Sequence, residues 1–399
     1  MKCPTVMLEF ESANNRKLLT GATGSLGSHL LSRLVESPQI NKVFCIIRST
    51  SILQTGQQRV ALTARTRDLP NILSKKTIPL IGDLSEANFN LPVEVFKEIR
   101  QEVTHIIHFA WNVNFALPVS AFATQIQEVR NLVALSLSSP FEQPPQVMFS
   151  SSVGAAMATP TSTSFVSIPE ATISNLRHAS PTGYARSKLV AEHILQIAAE
   201  KYGARTTVLR VGQIIPAPRT GSQLWNPTEM IPLIIRSALA IGVLPDIPGP
   251  SSRDACPWID VETLAKTVVD IAGLSPSSTP VPVKNNPVYN LVSPVTVSWK
   301  TEFLPALRRA GLDFEIVAWG TWLEKLRDDH NDAEDNPSRR LLGFWDGMGD
   351  QGSVGANKGG GVVFETAKAR ERSASLRDVG KVVDGEYVKD LLGAWRSVW

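Results

Sequence analysis

The stretch KLLTGATGSLGSHLLSRL (17–34) constrains this chain more tightly than any other. An apolar run leads into glycines at 21, 24 and 27, and Leu26, Leu30 and Leu34 then repeat at helical spacing. Glycines let a backbone turn sharply and approach a pyrophosphate, whose charge meets the free N–H groups of the following helix. The context rather than the triplet carries the signal, because a strand must enter the turn and a helix must leave it. TGSL also matches the core of a phosphopantetheine attachment site with Ser25 as acceptor. That serine would have to open a helix in a small bundle, so the reading is rejected here.

Six further apolar runs share the texture of the first, which is Lys17–Thr20: Val43–Ile47, Thr77–Ile81, His105–Phe109, Val147–Ser150, Thr206–Val211 and Val288–Val292. They are continuous rather than alternating, as parallel strands covered on both faces require. Helical patterns lie between several of them, including Leu26/Leu30/Leu34 and Leu189/His193/Ile197. The expected fold is α/β, a Rossmann-type doubly wound parallel sheet with a smaller, mainly helical C-terminal substrate-binding lobe. Residues 1–14 read as a tail, and 15–215 as the dinucleotide-binding domain, completed by about 258–295. Residues 216–257, rich in Pro, Gly and Trp around an apolar helix at Ile231–Ile241, form the other lobe together with 296–399. Loops are expected at 159–182 and in the glycine-rich 347–361.

The 40 basic and 37 acidic residues leave a formal charge of +3, which argues for neither nucleic acid nor an anionic membrane. No run approaches the ~18 apolar residues of a membrane span. The N-terminus lacks a secretory apolar core. Cys3, Cys45 and Cys256 form no disulfide framework or zinc pattern, and His105 and His108 belong to an apolar strand. A reduced cytoplasmic protein without a structural metal is expected.

The second strand ends VFCIIRST, with Arg48 where a ribose-binding acidic residue would favour NAD. A guanidinium suits a 2′-phosphate, so NADPH is the expected cofactor. In IGDLS, Asp83 follows the third strand, either to accept from an adenine amino group or to form a simple turn. In SPTGYARSKLVAEHIL (180–195), Tyr184 precedes Lys188 by one helical turn. The ammonium is expected to lower the phenol's pKa and to hold the nicotinamide ribose. Of the serines in FSSSVGAA at the end of the fifth strand, Ser152 is preferred over Ser151 as a second donor to an oxyanion.

With TGATGSLG, GDL, the strand-end serines and YARSK, the chain resembles the extended short-chain dehydrogenase/reductase family. THIIHFAWNVNF (104–115), VRNLVALSL (129–137), LRVGQI (209–214), LWNPTEMIPLIIRSALAIGVLP (224–245), WIDVETLA (258–265), NPSRRLLGFW and FETAKARERSASLRD narrow the likeness. It is to the terminal thioester reductase domains of fungal non-ribosomal-peptide-synthetase-like enzymes, a domain type related to that of carboxylic acid reductases. The resemblance spans roughly residues 15–399. It implies Ser152, Tyr184 and Lys188 as the catalytic set. It places Gly21, Thr23, Gly24, Ser25, Leu26, Gly27, Arg48, Asp83, Leu84 and Ala110, with Tyr184 and Lys188, at NADPH. The implied reaction, in fungal secondary metabolism, is reduction of an acyl thioester on a phosphopantetheine-bearing carrier protein to an aldehyde, with a further step to the alcohol left open. WNVNF and the Trp225–Leu244 region would line the acyl path, or else pack between lobes. Two departures stand out: Glu128 occupies a position where many extended members have asparagine, and no adenylation or carrier domain precedes the reductase segment in this sequence. The chain is expected to be either free-standing or a fragment of a longer gene. A reductase of free ketones, aldehydes or acyl-CoA, and a non-redox cyclase or scaffold, are the alternatives; cyclising relatives lack the tyrosine.

Overall fold

A computed structural model describes residues 15–48, 55–159, 166–218, 225–247, 254–275, 286–330, 335–350 and 362–399. The expected tail 1–14, residues 160–165 of the first loop tract and 351–361 of the glycine-rich stretch lie outside the described residues. Seven strands form one sheet: β1 (Arg16–Thr20), β2 (Lys42–Ile47), β3 (Thr77–Ile81), β4 (Val103–His108), β5 (Gln146–Ser152), β6 (Thr206–Val211) and β7 (Val288–Leu291). Their spatial order is β7-β6-β5-β4-β1-β2-β3, with every pairing parallel. The order reverses between β1 and β4, so the crevice at their carboxyl ends is the switch point where such sheets hold ligands. This is the doubly wound Rossmann-type architecture anticipated from the apolar runs, whose limits fall within two residues of the observed strands.

Both faces of the sheet are covered. Helices α1 (Ser25–Glu36) and α2 (Gly56–Thr66) precede α3 (Val93–Glu102), α4 (Ala123–Leu137), α5 (Gly183–Tyr202), α6 (Met230–Ile241) and α7 (Val261–Ile271). On one face Leu30 and Leu34 of α1 and Leu264 and Val268 of α7 share a core with Leu19, Cys45 and Leu209. On the other, Ile99, Leu132 and Leu195 from α3, α4 and α5 pack on Leu18, Ile106 and Phe149.

Helix α5 forms as expected; of the Leu189/His193/Ile197 pattern, Leu189 is fully buried but Ile197 is not. Ile197 is 46% exposed, while Lys188, Glu192, Leu195 and Ala199 point inward. The inward stripe is partly charged, so hydrophobicity alone does not reveal it. Glu192 meets Arg210 of β6 in a buried, two-pronged ion pair, with Nη2–Oε2 at 2.7 Å and Nε–Oε1 at 3.1 Å. Ser151 donates to the same carboxylate at 2.5 Å.

Beyond α7 the chain adds α8 (Leu304–Arg309), α9 (Trp319–Asp328), α10 (Leu342–Asp350), α11 (Ala367–Arg372), α12 (Ala374–Arg377) and α13 (Gly385–Arg396). A second core gathers Trp225, Trp258, Trp299, Trp319, Trp322, Trp345 and Trp395. Burying an indole N–H requires a partner, and several are supplied locally: Trp299 donates to Pro245 O at 3.0 Å, Trp322 to Ser237 Oγ at 2.9 Å, and Trp395 to Trp225 O at 3.0 Å. Trp225 and Leu244, expected along an acyl path, are interior members of this core, at 2% and 0% exposure. Among the described residues, no helix is long and apolar enough to cross a membrane.

Lys17 of β1 is wholly buried, with Nζ 2.8 Å from Thr104 Oγ1 and 2.9 Å from His105 Nδ1. Burial pushes its pKa down to about 7 from an ordinary 10.5. Between those values the unfolded chain binds a proton that the folded chain has released, so this group makes stability rise with pH across that window. Lys17→Met should therefore flatten the pH dependence of urea unfolding between about pH 7 and 10.5, and an unchanged slope in the variant would contradict the assignment.

Candidate active site

The turn from β1 to α1 is built from backbone on backbone. Gly21 has φ +74°, and a Cβ there would lie 2.8 Å from both Ala110 N and Phe109 C at the end of β4. A Cβ on Gly27 would stand 2.0 Å from Gly21 O. The first turn of α1 carries no acidic residue, and its N-cap, Gly24, has no side chain to occupy the free N–H groups. An anion is therefore favoured at this helix end. The turn opens on a cleft of about 370 Å³, lined among others by Gly21, Thr23, Arg48, Leu84, Ala110 and Trp111. Ser25 and Gly24 are exposed beside it, whereas Leu26 faces inward, 8% exposed.

Arg48 lies at the cleft, and its guanidinium is ion-paired with Glu128 of α4; Arg59 donates to the Arg48 carbonyl. The side chain of Arg48 is 54% exposed, that of Glu128 only 1%. Burial pushes the Glu128 carboxyl upward, against the pull of Arg48. Asp83 accepts from Ser85 N at 2.9 Å and from Ser85 Oγ at 2.6 Å, which holds its carboxyl below the usual range. One carboxylate oxygen thus closes a local turn, while its neighbours Gly82 and Leu84 line the cleft.

Ser152, Tyr184 and Lys188 meet at the carboxyl end of β5. Successive side chains on a strand face opposite ways, so Ser151 enters the Glu192–Arg210 pair and Ser152 turns toward Tyr184. The Ser152 hydroxyl accepts from Gly154 N at 3.1 Å and is hydrogen-bonded to the Tyr184 phenol. Lys188 Nζ donates to Ser150 O and sits over three rings, at 4.2 Å from Trp111, 4.6 Å from Phe149 and 5.7 Å from Tyr184. Trp111 joins the two regions, because it also lines the cleft.

The electrostatics differ from the expectation on one point. The spacing of Tyr184 and Lys188 suggested a lowered phenol pKa; instead burial pushes it up to about 12, with the Ser152 hydrogen bond pulling the other way. Desolvation also carries the Lys188 amine well below its ordinary range. Desolvation favours the uncharged amine, and what moves the phenol is its own burial and the Ser152 hydrogen bond. Beside them, His108 Nδ1 lies 2.8 Å from Thr20 Oγ1, and burial with the nearby Lys188 takes its pKa down to about 3. The ring is therefore neutral at physiological pH.

WNVNF stands out in the sequence, but the partners that its residues and Arg48 find in the fold do not. Phe115, within the WNVNF motif, packs edge-on against Tyr184 with centroids 5.1 Å apart. Phe344 of α10 stacks on Phe115 at 5.3 Å and 19°. No local signal links Phe344 to a tyrosine 160 positions earlier, and none marks Glu128 as the partner of Arg48.

Gly27→Ala tests the turn. The clash with Gly21 O should cost about 1–3 kcal/mol, read as a melting temperature lower by several degrees, with dinucleotide binding weakened at least about tenfold. A variant that melts and binds like the parent would show that the turn has room to spare.

Comparison with known proteins places this geometry in context. The profile of the family described as Male sterility protein, an NAD-binding domain, matches residues 19–268. Adenylate-forming reductase Nps10 of Heterobasidion annosum is 32% identical over 96% of this chain, and citrinin polyketide synthase of Monascus ruber is 29% identical over 96%. The chain spans 34% of the first protein's length and 14% of the second's. Among solved structures, the terminal R domain of the myxalamid PKS-NRPS pathway superimposes with a TM-score of 0.76 at 23% identity, covering 96% of this chain and 91% of that one. A thiolation-reductase di-domain of an archaeal non-ribosomal peptide synthetase gives 0.71 at 17% identity, covering 96% of this chain and 75% of that one. The two structures show a shared fold.

Proposed function

The chain belongs to the Male sterility protein family as a reductase domain of extended short-chain dehydrogenase/reductase type, and from that premise we propose that it uses NADPH to reduce a carrier-bound acyl thioester to an aldehyde in fungal secondary metabolism. The observation that carries the reading is that Ser152, Tyr184 and Lys188 meet at the end of β5, with Lys188 packed on Trp111, a residue that also lines the cleft. The relatives named as an adenylate-forming reductase and a polyketide synthase, and the solved thiolation-reductase pair, support a thioester on phosphopantetheine as substrate.

The residues present fit a nicotinamide dinucleotide. Gly21 and Gly27 keep the cradle clear of side chains, the uncapped start of α1 suits the pyrophosphate, and Arg48 and Arg59 supply cations for a 2′-phosphate. When bound, the cofactor supplies the hydride, so that thioester, NADPH and one proton give aldehyde, thiol and NADP⁺. Tyr184, kept protonated by burial, donates to the carbonyl oxygen as negative charge develops there. The hydrogen bond of Ser152 to the phenol, backed by Gly154 N–H, fixes the ring hydroxyl and leaves its own hydrogen for the substrate. Lys188 holds the floor of the site against Ser150 O, and contact with the cofactor's ribose is the role read for it from the Tyr-x-x-x-Lys pattern. Collapse of the tetrahedral hemithioacetal returns the hydroxyl proton to the phenolate, breaks the C–S bond and expels a thiolate, which takes up the one proton of the overall equation.

Tyr184→Phe should lower turnover by about 10²–10⁴-fold with NADPH binding retained, measured by NADPH oxidation and by fluorescence titration. Full turnover would remove the proposed acid. Assaying carrier-linked, CoA-linked and free carbonyl substrates side by side should show the carrier-linked thioester consumed fastest with release of thiol. A preference for free aldehydes or ketones would replace this reading with the reduction of a simple carbonyl.

A further inference from the structure

The cleft holds two acceptors that the mechanism above does not use. Glu128 and Gln125 both face it from α4, and they are 1% and 7% exposed. Glu128 Oε2 and Gln125 Oε1 have no hydrogen-bond partner. Buried acceptors without donors are costly unless a ligand satisfies them. The other oxygen of Glu128 holds the Arg48 guanidinium.

This arrangement changes the argument drawn from the end of β2. No acidic residue stands there in the sequence, yet the fold delivers one from α4, eighty positions away. Around Arg48 the nearby charges are Glu128 and Asp83 on one side of the balance and Arg59 on the other. A 2′-phosphate would gain from the guanidiniums but would meet a carboxylate in the same place, and a phosphate dianion has no proton to offer the free oxygen of Glu128. A 2′-hydroxyl does.

We propose that Glu128 sets cofactor specificity: its carboxylate restrains Arg48, opposes a 2′-phosphate and accepts a ribose hydroxyl, so that the preference for NADPH over NADH is narrower than Arg48 alone would produce. The inference rests on the reading that a nicotinamide dinucleotide occupies this cleft. It assigns discrimination to a pair of residues with opposed preferences, one from β2 and one from α4.

The test is a binding comparison on the intact chain, titrating NADPH and NADH into the parent, Glu128→Gln, Glu128→Asn and Arg48→Ala, with thermal melts to confirm folding. Removing the carboxylate's charge should raise the NADPH-to-NADH affinity ratio about tenfold or more. Arg48→Ala, which leaves Glu128 to act alone, should invert the order so that NADH binds more tightly; this arm also answers if both Glu128 variants fail to fold. A ratio within twofold of the parent in the folded Glu128 variants would overturn the proposal, as would an Arg48→Ala protein that still prefers NADPH. If the parent binds neither dinucleotide, the cofactor reading itself falls; binding of both with an unmoved ratio sinks only the role of Glu128.

Discussion

Main chain pressed against main chain at the reversal point of the sheet is the constraint from which the rest follows. Gly21 turns left-handed against the last residues of β4, and Gly27 lets the start of α1 rest on the Gly21 carbonyl. Because no side chain intervenes, the helix end, the tip of β1 and the tip of β4 share one small volume. The cleft, the exposed N–H groups and the position of Trp111 all derive from that closeness. A doubly wound sheet offers such a place only where its strand order reverses.

The chemistry-bearing face is held by what lies beneath it. Ser151, Glu192 and Arg210 form a buried polar cluster that ties α5 to β5 and β6. Breaking one partner of a buried ion pair typically costs about 3–5 kcal/mol, since the other charge is left without compensation. The cluster therefore clamps α5 in rotation, and the same rotation directs Tyr184 and Lys188 toward Ser152 and Ser150. The lysine in turn is desolvated by Trp111 and Phe149. Low polarity keeps the phenol protonated but makes it a weaker acid, and the Ser152 hydrogen bond pulls the other way.

Much of this was legible in the residue order, for physical reasons. Strands covered on both faces write themselves as uninterrupted apolar runs, so all seven could be located. A glycine turn between strand and helix, and a tyrosine one helical turn from a lysine, are local patterns that survive without tertiary information. Contacts between distant segments were not legible. Glu128 reaches Arg48, and Phe344 reaches Phe115, only because the sheet brings separate elements together. The inward-facing Lys188 and Glu192 of α5 cannot be told from solvated residues by hydrophobicity, and the direction of the Tyr184 shift was misjudged because spacing reports proximity but not burial. For Trp225 and Leu244 the sequence leaves a lining and packing between lobes both open, since an apolar residue reads the same in either place, and both are interior.

The second core spans a long stretch of chain. Trp225 accepts through its carbonyl from Trp395, and Val388, Leu391 and Leu392 of α13 pack into the same cluster. During synthesis the early strands and helices can condense while this region is still short of its final helix. Until residue 395 has left the ribosome, a patch of indole rings around 225, 258 and 299 stays uncovered. The nascent polypeptide thus passes through a stage in which all seven strands of the sheet have been made while this indole cluster still lacks the cover of α13.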